Sequence, residues 1–373
     1  MPNFIEKIEI DGFRALSKLN INSLGSVNLI TGKNNSGKSS LLEAIRILSS
    51  GGALKTFYDI LSTREELGDG AEYEKSYDPG DLFPFCSLFN GFPDLASSQN
   101  GFSIKAEGAL PAALSSIDVG INWYSRKTDP DRTTFRYEIA SGDWLDEEVF
   151  PALSMDIGGK KRIVPLDRFN RRSYASRSDV DGTSVPCIYL DPFSSRSTSQ
   201  MDVWWDAVAL TDAEPEIVKA LQLVSDDIQA VTMIASDNRS SRPRTAVAKS
   251  ARFRSRVPLK TFGDGLNRVF GIILSLCNAR NGVLLIDEIE NGLHYSVQTA
   301  VWRTLFRLAR DMNVQVFATS HSWDCVRAFQ EAAAESPETG VLVRLTSQGN
   351  TVIPTLFTEK ELQIVTRDQI EVR

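Results

Sequence analysis

Gly32-Lys33-Asn34-Asn35-Ser36-Gly37-Lys38-Ser39 is the stretch on which the reading of this chain turns. It fits G-x-x-x-x-G-K-[ST], and each fixed position has a physical reason. Gly32 and Gly37 let the backbone turn so that several N–H groups point at one place, a shape that suits phosphate oxygens. Asn34, Asn35 and Ser36 fill the turn between them. Lys38 sets a point charge between two adjacent phosphates. The Ser39 hydroxyl suits a hard cation such as Mg2+. A helix beginning at Ser40 adds its positive end. The flanks agree with the loop. Val27 to Thr31 is a short apolar run that stops at a glycine, and Leu41, Leu42, Ile45 and Leu48 then recur on one helical face. Strand, glycine turn and helix together predict a nucleotide-binding loop.

Further out, Phe4 to Ile10 alternates as a strand does, and Leu19 to Ile21 starts another extended piece. From Gly51 to Val185 the chain is rich in Gly, Pro, Ser, Asp and aromatics. The β-like runs Phe102 to Ala106, Ile117 to Tyr124, Phe135 to Ile139 and Leu153 to Ile157 break it up. Residues 51–185 therefore read as a β-rich insertion or lid. After it, strands at Cys187 to Leu190 and Ile228 to Ile234 alternate with helices at Asp202 to Ala209 and Ala213 to Leu223. The last third has helices near Leu266 to Asn278 and Ser296 to Arg310, with strands Val283 to Ile286 and Val314 to Thr319. Such alternation implies a parallel sheet covered on both faces.

Two acids, a histidine and a second glycine turn complete the chemistry. Asp287 and Glu288 end an apolar strand. With a phosphate loop in the same chain, Asp287 would hold Mg2+ and Glu288 would polarise the attacking water. His321 lies just past the next strand, in Thr319-Ser320-His321-Ser322, placed to sense a γ-phosphate. Gly263-Asp264-Gly265 opens a helix and offers a second phosphate-binding surface, or a plain turn capped by Asp264. One chain needs one such surface for its own nucleotide, so the second suits a partner's nucleotide in a head-to-tail dimer. Glu290-Asn291-Gly292-Leu293-His294 would then face the dimer.

Composition narrows the class. The chain has 373 residues, 42% hydrophobic and 24% charged, which excludes a disordered chain, a collagen-like fibre and a disulfide mini-domain, and suits two domains. Apolar stretches such as Val269 to Cys277 are about half of a membrane span. Met1 to Arg14 mixes charge with apolar residues and reads as no secretory signal. Cys86, Cys187, Cys277 and Cys325 are far apart, as reduced thiols of a cytoplasmic protein would be. The net charge of -7 argues against nucleic-acid binding by the whole surface, not by a local patch.

The set of motifs resembles the ABC-type ATPase heads of the SMC, RecF and OLD group, most closely the OLD-like, AAA-15-type ATPases. The residues that carry the resemblance are Gly12-Phe13-Arg14, the run from Asn28 to Ile45, Phe262-Gly263-Asp264-Gly265, the run from Leu284 to His294, and Thr319 to Ser322. It covers residues 1–50 and 186–373. The resemblance implies a P-loop NTPase head of α/β class that binds ATP and Mg2+, hydrolyses ATP and dimerises around nucleotide. It implies that Gly32, Asn34 to Ser40, Arg14, Gly263, Asp264, Gly265 and Asn291 contact nucleotide, that Ser39 and Asp287 hold Mg2+, and that Lys38, Glu288 and His321 are catalytic. Arg14 reads equally as a surface arginine. Phe262 stands where transporter-type signatures place serine, and Gln99 is a Gln-loop candidate by position only. The stretch after His321 is too short for the TOPRIM nuclease of full-length OLD proteins, and no heptad arm is visible. The expectation is a separate effector, nuclease or toxin, in an antiphage-defence or DNA-processing system. The alternatives are a RecF-like DNA-repair clamp and a scaffold that holds an effector while ATP stays bound. Two basic clusters, Lys160 to Arg177 and Arg239 to Arg256, are candidate DNA, RNA or acidic-partner surfaces, or solvated loops. Trp204 and Trp205 read as packing.

Overall fold

A computed structural model describes residues 2–67, 83–93, 100–128, 135–139, 149–166, 184–192, 198–235, 244–336 and 340–368. Its first strands are β1 (Lys7–Phe13), β2 (Leu16–Ile21) and β3 (Val27–Thr31). Next come β4 (Asn100–Glu107), β5 (Ser116–Thr128), β6 (Phe135–Ile139), β7 (Val149–Ile157) and β8 (Lys160–Pro165). Then follow β9 (Cys187–Leu190), β10 (Ile228–Ile234), β11 (Thr245–Ser250) and β12 (Val257–Pro258). The last are β13 (Gly282–Ile286), β14 (Val314–Ser320), β15 (Gly340–Gln348) and β16 (Thr351–Phe357).

The central sheet runs β16-β15-β3-β14-β13-β9. All neighbours but the outermost pair are parallel. This is the α/β class expected. The strand that leads into the phosphate loop, β3, is separated from the acid-bearing β13 by β14. That order sets the end of β14 between the loop and the acids. The apolar runs of these strands are unbroken because each face meets its own core. Leu284, Ile286, Val316, Ala318 and Leu29 join one, while Val283, Leu285, Phe317 and Ile30 join the other. Period-two alternation thus sorts residues between two cores rather than between core and water.

The phosphate-loop helix, α1 (Lys38–Ser49), belongs to the second core, and α2 (Leu54–Thr63) packs beside it. It begins at Lys38, two residues before the expected start. Ala44 and Ile47 are buried in addition to the expected face, because α1 has β1 on one side and the central sheet on the other. The first core takes α3 (Thr198–Val208), α4 (Glu214–Gln222), α5 (Asp264–Asn278), α6 (Tyr295–Met312) and α7 (Trp323–Ala333). Trp204 and Trp205 are packed there. The C-terminal α8 (Glu359–Arg367) starts with a capping box, Thr358 with Glu361.

The second sheet has seven strands in the order β2-β1-β4-β5-β7-β8, with β6 on β5. The β-rich segment from Gly51 onward is therefore not set off by a sheet boundary. Its β4 pairs antiparallel with β1, from Lys7 opposite Glu107 to Asp11 opposite Ser103. The backbone edge of β1 has to find partners, and β4 supplies them. The small sheet β10-β11-β12 lies before α5. The four cysteines are free. Burial pushes the Cys277 and Cys325 thiols up to about 12, so both are protonated at neutral pH. No helix among the described residues is long and apolar enough to cross a membrane.

Candidate functional site

The loop folds as its glycines demand. Gly32 has φ 149°, and a Cβ there would lie 2.4 Å from the Leu345 carbonyl and 2.5 Å from Ser36 Oγ. Gly37 has φ 89° and caps α1, with Leu16 closing on it from β2. Asn34 and Asn35 are exposed at the tip, and Asn35 takes a left-handed φ of 62°. Lys38 Nζ donates to the carbonyls of Gly32 and Lys33 at 2.7 and 2.9 Å. Burial lowers the Lys38 pKa, against the pull of Asp287, Glu288 and Glu290.

The two halves of the motif set meet at one hydrogen bond. Ser39 Oγ donates to Asp287 Oδ2 at 2.9 Å, across 248 residues. Thr319, on the intervening β14, donates its hydroxyl to Asp287 Oδ1. It also accepts the Glu288 N–H at 2.8 Å. Glu288 sits at φ 48° with a side chain 41% exposed. A left-handed residue two positions past the strand end turns the chain out of the sheet there. His321 Nδ1 lies 3.3 Å from Glu290 Oε1 and 3.9 Å from Glu288 Oε1. Loop, acids and histidine therefore form one constellation at the ends of β3, β13 and β14.

Other expected residues lie elsewhere or are engaged. Arg14 is buried, not on the surface; Glu43 of α1 lies 2.7 Å from its Nε, and Glu66 is 2.8 Å away. Its left-handed φ of 49° turns it inward from the end of β1. The Asn291 amide donates to the Pro192 carbonyl at 3.2 Å. Gly263, at φ 102°, is the cap of α5, and Asp264 is its first residue rather than the cap. Gly265 packs on the neighbouring loop: a Cβ there would lie 3.0 Å from the Gly292 carbonyl. Gln99, Arg168, Arg171, Arg172, Arg177, Arg239 and Arg242 fall outside the described residues.

Two site residues, Tyr189 and Arg268, had no sequence signal. Tyr189 donates its hydroxyl to Asp287 Oδ2 at 3.3 Å. The Arg46 guanidinium lies 5.1 Å over its ring. Arg268, 1% exposed, donates to the carbonyls of Asp191, Asp287 and Glu288 at 2.9, 2.9 and 3.0 Å. Thr319 lay inside a quoted motif but had no role. Glu290 accepts the His321 N–H at 3.0 Å. The pairing of β9 with β13 brings Tyr189 in, and α5 brings Arg268.

The donor set fits a magnesium nucleotide. Ser36 Oγ is buried with no partner in the loop, as an atom awaiting a phosphate oxygen would be. Ser39 and Asp287 present two hard oxygen ligands side by side. The arrangement can hold a triphosphate against Lys38 and set a carboxylate beside it.

The sequence profile of an AAA ATPase domain family, AAA-15, matches residues 4–85 and 207–326. Over 351 residues the chain is 22% identical to an ATP/GTP phosphatase of Helicobacter pylori, covering 89% of each chain. It is 37% identical over 78 residues to an uncharacterized protein of Methanocaldococcus jannaschii, 20% of this chain and 36% of that one. Among solved structures, an SMC head bound to the C-winged helix domain of ScpA aligns with TM-score 0.50 and 13% identity, covering 95% of this chain and 98% of that chain. That likeness is one of fold.

Proposed function

The chain belongs to the AAA-15 family of AAA ATPase domains, and from that membership we propose a Mg-ATP-hydrolysing switch whose two copies close head to tail around nucleotide. The observation that carries the reading is the Ser39–Asp287 contact, which joins the phosphate loop to the acidic strand end. Loop N–H groups and Lys38 bind the triphosphate. Ser39 and Asp287 hold Mg2+, which would supply positive charge against the phosphate oxygens. Glu288 takes up a proton from the attacking water, and its exposed carboxylate is free to reach it. His321 bridges Glu288 and Glu290 and reports on the γ-phosphate. The Gly263–Gly265 turn presents backbone N–H groups to the nucleotide of the other copy. No serine is needed for that contact, which suits Phe262 in the signature position.

The test is Glu288→Gln. Hydrolysis should fall by about 100-fold or more, with ATP binding kept. Loss of binding, or retained turnover, would refute the assignment.

The finer proposal is that closing and opening controls a separate effector, as the OLD-like resemblance suggests, in defence or DNA processing. Pull-down of Glu288→Gln from the native host tests it; a stoichiometric nuclease-like or toxin-like protein is the expected companion. The RecF-like clamp is the second reading. Arg254 and Arg256 favour it, since both are exposed and neither has an ion-pair partner among the described residues. Phe253 beside them packs edge-on against Phe262 at 5.8 Å, next to the signature turn. Nucleic acid without a protein companion in the pull-down would move the assignment to that reading.

A further inference from the structure

One concavity is lined by none of the phosphate-loop residues. It is a trough of about 740 Å³ on the outer face of the seven-stranded sheet. Its shape follows from register. Lys18, Asp11, Ser103, Asp118, Asp156 and Lys161 lie side by side across β2, β1, β4, β5, β7 and β8. Two residues along, the facing positions are Gly101, Gly120 and Ser154. Two glycines in a row remove the side chains that would fill this face, so the floor is backbone. At the far end Tyr124 faces Ile139. Six residues separate Asp118 from Tyr124 along β5, about 20 Å.

The charges along the first row do not cancel. Lys18 is opposite Asp11 and Lys161 is opposite Asp156. Asp118 is left between Ser103 and a second carboxylate, Asp156. Like charges directly opposite each other destabilise a sheet. Asp118 has no hydrogen bond or ion pair to any described residue. The floor is otherwise satisfied: Asn122 donates to Ser154 Oγ, which donates to the Gly120 carbonyl, both at 3.1 Å. At the other end Tyr124 is 4% exposed. It lines the trough, and its hydroxyl has no hydrogen bond to any described residue. The ring is buried, while the hydroxyl still meets solvent in the trough, where a ligand group can reach it.

We propose that the trough is a binding site for an organic monocation. The ligand carries one ammonium or guanidinium group, an apolar stem and a hydrogen-bonding group at the far end. The cation sits between the facing carboxylates of Asp118 and Asp156, with Lys161 and Arg162 at the β8 side of the trough. The stem lies on the Gly101–Gly120 floor against Ile139. The far group bonds the Tyr124 hydroxyl. The volume falls in the range of small-molecule sites. Gly12 at the rim lies two residues before Arg14, whose guanidinium is ion-paired with Glu43 of α1.

The test uses N-(8-aminooctyl)acetamide, about 14 Å from ammonium to carbonyl oxygen and about 20 Å with a hydrogen bond at each end, with N-octylacetamide as the same molecule without its ammonium group. Isothermal titration of the full chain should show saturable one-to-one binding of the amine and none of the amide. Asp118→Asn should weaken amine binding about tenfold or more, and Tyr124→Phe by a few-fold. Asp118 is exposed, so circular dichroism and basal ATP hydrolysis should match wild type; Asp156→Asn gives a second reading of the same end. Absence of saturable amine binding, equal binding of amide and amine, or unchanged affinity in both aspartate variants would overturn the proposal.

Discussion

Asp287 accepts hydrogen bonds from three hydroxyls, those of Ser39, Thr319 and Tyr189. In the proposed site Ser39 is a Mg2+ ligand, which leaves Thr319 and Tyr189 to fix the carboxylate's orientation. Burial, then the Asp287 and Glu43 charges, push the Tyr189 phenol well above its usual 10.0. It therefore stays a donor across the working pH range. Tyr189→Phe removes one hydrogen bond, worth about 1 kcal/mol. The Mg2+ concentration for half-maximal hydrolysis should rise about fivefold, with nucleotide affinity in EDTA unchanged. An unaltered Mg2+ requirement would show that the contact is idle. Lys38 gives a pH signature. Its pKa is lowered from 10.5 by burial, so it loses its charge at lower pH than a free lysine. The charged form binds the triphosphate, and the neutral form does not. ATP affinity should therefore decline on the alkaline side before the ordinary lysine range, and Lys38→Arg should flatten that decline. Fluorescent-nucleotide titrations across pH would read both curves. Spacing alone pointed to Lys38, Ser39, Asp287 and Glu288, because their motifs are local and the chemistry constrains them. Tyr189 was not legible, since an edge-strand tyrosine is an ordinary apolar residue until β9 pairs with β13.

The elements around the acids are tied together by α5. Arg268 rises from that helix to three carbonyls, two of them from the turn that follows β13. Burial lowers its pKa below the ordinary guanidinium value, with Asp191, Glu290 and Asp287 opposing. Arg268→Met would leave these carbonyls without their donor and cost about 3 kcal/mol. Chemical denaturation should show that loss, and hydrolysis should fall more than nucleotide binding. Equal losses in both would mark Arg268 as a packing residue only. The same helix meets the post-strand loop at Gly265, whose missing side chain admits the Gly292 carbonyl. The helices α5 and α6 and the strands β13 and β14 were legible because their periodicity is long and regular. Their ends moved by one or two residues, as at Asp264, where the glycine cap was hidden by a better capping residue beside it. The joint sheet of β1 with β4 was not legible. Alternation says which face a strand buries, not which strand it pairs with.

At the scale of the whole molecule, one chain carries a phosphate loop on α1 and a second exposed helix start at Gly263. If the functional unit is a head-to-tail pair, damage to the two features must complement. A chain with Lys38→Ala keeps a sound signature turn. A chain with Gly263→Glu keeps a sound phosphate loop, and a Cβ at Gly263 meets nothing within 4 Å. The substitution thus adds bulk and negative charge to an open surface, at about 1–3 kcal/mol of backbone strain from the left-handed φ. Each variant alone should be inactive. Mixed, the turn of the first and the loop of the second make one intact site, so hydrolysis should reappear in proportion to mixed pairs. Light scattering with Glu288→Gln and ATP should show the same pairing as a doubling of mass that nucleotide removal reverses. Folded variants that form mixed pairs yet recover no activity would place both halves of each site in one chain and end the head-to-tail proposal.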